Sequence, residues 1–173
     1  MLPGIDLRLQ NVLKALREVV LPAIPADQRL ARDQAMLAIG HIAIVADQWR
    51  EAARYEAGSL RGLVSLAKKL MADEIIGIEV ETRQRLADVI ARASTIDLSD
   101  LALVEALIME LGALVDAVIL SCGRPGPLSP ALLDAVLSYG EGQSHRERVW
   151  FAGTKLDPDV AELEAISDML AAD

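Results

Sequence analysis

Aromatic side chains are scarce in this chain: two tryptophans, two tyrosines and one phenylalanine among 173 residues, or 3%. Any core must instead be built from Ala, Leu, Ile and Val, a composition that suits close helix packing. A single cysteine, Cys122, rules out an internal disulfide and fits a reducing, cytoplasmic setting. The start, MLPGIDLRLQ, lacks the basic-then-apolar order of a signal peptide.

Histidine is almost as rare. His41 and His145 are preceded three residues earlier by Ala38 and Gly142, so the Glu-x-x-His pairs of di-metal bundles are missing. There is no His-Glu-x-x-His pair, and one cysteine cannot build a thiolate site, so no metal is expected. Phosphate-cradling glycine loops are absent, and DLSD at 97–100 reads as a helix start rather than an aspartate-rich diphosphate motif. No cofactor is expected, and no catalytic residue stands out. Glu105 and Asp116 share a helix face but lie about 16 Å apart along the axis, too far to act on one bond.

Positive charge is concentrated at one end. The net charge is −9, yet residues 1–92 hold 13 basic and 12 acidic side chains against 4 and 14 in residues 93–173. The acidic half would repel nucleic acid, and no basic stripe interleaved with aromatics offsets it. A long uncharged apolar run is missing too. Glu105, Glu110 and Asp116 interrupt the most apolar stretch, 98–123, which predicts a buried bundle helix instead of a membrane span.

What the chain has in abundance is aliphatic sequence at helical spacing. Apolar residues make up 53% and the mean hydropathy is +0.31. That excess predicts apolar surface left for a partner, most simply a second copy in a homodimer. The fold class expected is all-α, a single-domain bundle of six to seven helices over 1–173 with short loops. The spacing predicts a helix over 5–21, ended by Pro22 and Pro25, and a second from an Asp27 cap to about Tyr55. On the second, a helical wheel places Ala35, Ala38, Ile42, Val45, Ala46 and Trp49 toward the core. The Trp49 indole N–H then needs a partner. Gly58 and Ser59 mark a stop or kink before a helix reaching Met71. Further helices are expected at 74–93 and 98–122, the latter capped by Asp97 or Ser99.

GRPGPLSP at 123–130 is the clearest break, with Ser129 as N-cap and Pro130 at the first helical position. The helix beginning there is expected to end near Ser138. Gly140 and Gly142 each cost about 1 kcal/mol inside a helix. Ser144 and Glu147 then form a capping box that restarts a short helix from His145. A last helix, from Asp157-Pro158 to about Leu170, is expected to be peripheral.

The segment 139–153, YGEGQSHRERVWFAG, gathers three of the five aromatics with a histidine and two arginines. Tyr139, His145, Arg146, Arg148 and Trp150 are accordingly the candidate binding residues. A glycine-flanked basic and aromatic segment suits binding better than bond-breaking.

Residues 3–49, with Pro3, the VLPAIP at 20–25 and an Arg-rich start to an Ala-rich helix, resemble a small uncharacterised all-helical domain family of bacteria. Members of that family are found beside aminoglycoside-phosphotransferase-like kinases and acyl-CoA dehydrogenases. The resemblance implies an accessory role beside an enzyme. Two functions are therefore expected in order: a non-enzymatic, self-associating helical interaction module, or a bundle holding a hydrophobic or acyl-type ligand in an apolar pocket, possessing at most weak activity.

Overall fold

A computed structural model describes residues 4–72, 78–122 and 129–172. The side chains of Ser121 and Cys122 lie outside that description. So do residues 123–128, which carry most of the proline-rich break, and 74–77, the expected first turn of the fourth helix. Among the described residues there are seven helices and no strand, the all-α architecture that the spacing implies.

The chain divides into two compact units, residues 1–51 with 153–157, and 52–152 with 158–173. The first is a helical hairpin. Helix α1 runs Ile5–Ala15, passes through a π turn at Leu16–Val20 and ends at Leu21–Ala23. Pro22 has no N–H to give, and its ring crowds the carbonyl four residues back, which is where the helix widens. Helix α2 is Arg29–Gln48. Asp6 ties the hairpin shut: its carboxylate accepts from the Trp49 indole at 2.9 Å and pairs with Arg50, whose guanidinium lies 5.4 Å over the Trp49 ring. The indole thus finds the partner it needs.

Two expectations about α2 are corrected. The helix ends before a turn at Trp49–Glu51, not at Tyr55, and its buried face centres on Ile39, with Val45 half exposed and Ala38 exposed. Arg32, read from the spacing as part of the polar face, donates its guanidinium N–H to the Ile24 carbonyl at 3.0 Å.

The second unit holds α3 (Ala52–Ala72), α4 (Val80–Ala93), α5 (Leu101–Cys122), α6 (Pro130–Trp150) and the short α7 (Ile166–Ala171). Helix α5 packs on α3 and α4, and α6 packs on α3. Val104, Leu107, Leu111, Leu114, Val115 and Val118 recur at three- and four-residue spacing on α5, and meet Leu60, Leu63, Leu66 and Leu70 of α3. This core is aliphatic, as the composition requires. At its edge Arg92 pairs with Glu110 at 3.0 Å. The α5 cap is neither Asp97 nor Ser99: Asp100 accepts from the Leu103 N–H, while Asp97 instead accepts from the Ser99 N–H and hydroxyl.

Gly58 and Ser59, expected to end or kink a helix, are buried inside the continuous α3. The larger correction concerns α6. Ser129 caps it as expected, accepting from the Leu132 N–H at 3.2 Å, but the helix then continues unbroken through Gly140, Gly142 and Ser144 to Trp150. Glu147, assigned to a capping box, instead accepts from Gln143 one turn back at 3.1 Å. Continuity buries Val149 completely and leaves Trp150 8% exposed. Burying two such side chains is worth about 1.5–3 kcal/mol each, which exceeds the cost of two glycines. Nothing lies within 4 Å of a Cβ built on Gly140. Gly140→Ala is therefore expected to stabilise the protein by about 0.5–1 kcal/mol, read as a higher urea midpoint at unchanged slope. The expected C-terminal helix is also shorter: a 3₁₀ turn at Val160–Glu162 precedes α7. Met169 and Leu170 dock it against Tyr55 and Trp150.

Candidate functional site

All five candidate binding residues lie on α6, and its continuity sorts them by direction. Tyr139, His145 and Arg146 line a groove of about 530 Å³ running between α3 and α6. Arg148 and Trp150 do not line it. Arg148 pairs with Asp159 at 3.3 Å. Trp150 stacks on Tyr55 with ring centroids 4.2 Å apart and planes inclined by 16°. Its task is packing, and the aromatic enrichment of 139–153 is in part the edge of a core cluster.

The groove exists because small residues face one another across the two helices. Gly58 and Gly62 on α3 stand opposite Ala135, Ser138 and Gly142 on α6. A Cβ added at Gly62 would meet the Tyr139 ring at 3.6 Å, so the phenol lies over bare helix backbone. One end is closed by Glu164, Met169 and Ala172 near α7. The other walls carry Arg61, Ser65 and Lys69 from α3, and Gln143, His145 and Arg146 from α6.

Arg146 is fixed at the closed end, donating to the Tyr55 carbonyl at 2.9 Å while its guanidinium lies 5.2 Å over the Tyr55 ring. The His145 ring nitrogen sits 3.0 Å from Glu164, a contact that spans α6 and the segment before α7. Burial pushes the Tyr139 phenol above its ordinary value, and Glu147 adds to the shift. Burial does the same at Tyr55, reinforced by Glu147 and Glu56. Both phenols therefore remain protonated at neutral pH.

Glu56, two residues before Gly58 on α3, is raised first by burial and then by Glu105, with Arg146 opposing. A carboxyl raised in the fold favours the protonated state. Its stabilising contribution is complete below the ordinary value of 4.5 and is lost as pH rises through the folded value. Glu56→Gln is thus expected to be more stable than the parent at pH 7. That advantage should vanish below pH 4.5 in paired urea titrations.

Arg61 and Lys69 were not among the sequence candidates. Their signal was present in GSLRG at 58–62, where two glycines at helical spacing flank an arginine, but the pair reads equally as a helix stop. No group of three His, Cys, Asp or Glu side chains that could hold a metal occurs among the described residues. Among the described lining residues the histidine contacts Glu164 and no hydroxyl, so the groove presents cation, hydroxyl and amide donors beside apolar surface. It is open to solvent along its length rather than enclosed.

Fold and groove together define an all-α helical protein in which no described helix is long and apolar enough to cross a membrane. Comparison with protein-family models, curated proteins and solved structures finds no match to the chain.

Proposed function

We propose that this chain is a non-enzymatic helical interaction module that self-associates through the outer faces of its N-terminal hairpin. The observation that carries this reading is an imbalance within residues 4–51. Only two apolar side chains there, Leu13 and Ile39, are buried, while nine large ones are exposed. Five of the nine recur at seven-residue spacing: Ile5 and Val12 on α1, with Val19 in the π turn beyond, and Leu30 and Leu37 on α2, with half-buried Ile44 continuing the latter series. Heptad spacing is what a helix presents to another helix in a bundle.

Charge supports a second copy as the occupant. Residues 4–51 carry 6 basic and 6 acidic side chains, a balance of zero inside a chain of −9, so two hairpins meet without net repulsion. The resemblance over residues 3–49 covers this same hairpin and suggests an accessory role beside an enzyme. Light scattering of the purified chain tests the reading. Twice the 18.6 kDa chain mass supports it, and the mass of one chain at high micromolar concentration refutes it.

A further inference from the structure

The groove between α3 and α6 belongs to the unit formed by residues 52–152 and 158–173, and the self-association reading leaves it unused. Its electrostatics run against the rest of the chain. Arg61 and Lys69 lie eight residues apart on one edge of α3, about 12 Å along the axis, with Ser65 between them. Neither forms an ion pair with a described residue. Among the described lining residues Glu164 is the one carboxylate, and His145 contacts it at 3.0 Å. With Arg146 at the closed end, the described lining carries three cations to one carboxylate, while Glu147 and Asp116 act on the Tyr139 phenol from outside it.

The floor is of a different character. Gly58, Gly62 and Ala135 leave room between the two helices, the Tyr139 ring covers Gly62, and that ring with the edges of Leu66 and Met169 forms the apolar surface. A volume of about 530 Å³ falls within the range of small-molecule sites, roughly 300–1,000 Å³.

We propose that this groove binds a small amphipathic organic anion, its carboxylate or phosphate head held along the Arg61–Ser65–Lys69 edge and its apolar body laid against the Tyr139 ring between α3 and α6. The protonated phenol and the Ser65 and Ser138 hydroxyls supply neutral donors to the head. Both halves of the ligand are required, because exposed cations alone hold inorganic anions weakly and an open groove alone does not retain an alkyl chain.

Calorimetric titration of the full chain with octyl phosphate, octanoate, octanol and inorganic phosphate tests this. Saturable one-to-one binding of octyl phosphate or octanoate is expected, at least tenfold tighter than octanol or inorganic phosphate and weakening as salt is raised. The better of the two anions identifies the head group. Arg61→Gln and Lys69→Gln should each weaken binding at least fivefold. Gly142→Leu should abolish it, since nothing lies within 4 Å of a Cβ at that position and the added side chain has room to enter the groove. Helix content by circular dichroism shows which variants are folded, and the two cation variants alter exposed side chains only, so they decide the matter if Gly142→Leu misfolds. Equal affinity for octanol, equal affinity for inorganic phosphate, no binding of either amphipathic anion, or binding untouched by Arg61→Gln and Lys69→Gln would each overturn the proposal. None of these results depends on the oligomeric state, so the groove and the hairpin stand or fall separately.

Discussion

Replacing Trp150 with alanine is expected to cost about 3–5 kcal/mol of stability, the range for truncating a large buried aromatic. Trp150 is 8% exposed at the last residue of α6 and stacks on Tyr55 at the first turn of α3, with Val149, Met169 and Leu170 around the pair. Arg146 holds the same Tyr55 through its carbonyl and ring. Losing the indole therefore leaves a cavity where α3, α6 and α7 meet. The neighbouring Phe151, 54% exposed, is the internal control: Phe151→Ala should change stability by no more than about 0.5 kcal/mol. Urea denaturation followed by circular dichroism distinguishes the two. If Trp150→Ala cost less than about 1 kcal/mol, the junction would not hold the bundle together as described.

The second large effect is on association. Leu30 and Leu37 are 74% and 56% exposed on the side of α2 away from Ile39, and nothing in the hairpin itself depends on them. Leu30→Glu with Leu37→Glu places two carboxylates from each copy where the heptad stripe would be buried. Desolvating those charges is costly, and truncating the central anchors of an interface commonly removes several kcal/mol. The dissociation constant of the dimer is expected to rise at least hundredfold, with helix content and the urea midpoint of the dilute monomer close to those of the parent. A double variant that unfolded would mean that these leucines serve the hairpin's own core.

Much of the fold was legible because aliphatic spacing is a local signal. Leu107, Leu111, Leu114 and Val118 announce α5 and its buried face, and Ser129-Pro130 announces the start of α6. The failures share a cause, which is that distant contacts overrode local propensity. Gly140 and Gly142 weaken a helix by themselves, but the burial of Val149 and Trp150 beyond them keeps α6 intact. The break at Trp49–Glu51 contains neither glycine nor proline, and its visible restraint is Asp6, more than forty residues earlier in the chain. The buried face of α2 centres on Ile39, and Arg32 near that face donates to the Ile24 carbonyl from the connection before the helix.

The groove was half legible for the same reason. Enrichment of basic and aromatic residues picked out Tyr139, His145 and Arg146, which line it, together with Arg148 and Trp150, which do not. Only the pairing of α3 with α6 brings Arg61 and Lys69 alongside Tyr139. No spacing rule within one helix contains that fact.

Sedimentation equilibrium of the parent and the Leu30→Glu/Leu37→Glu protein, run together across a hundredfold concentration range, tests the central claim most directly. The parent mass should climb from 18.6 kDa toward twice that value, while the double variant stays at 18.6 kDa with its helix content unchanged. Coincident curves for the two proteins, whether both associate or neither does, would contradict the assignment of the hairpin as the self-association surface.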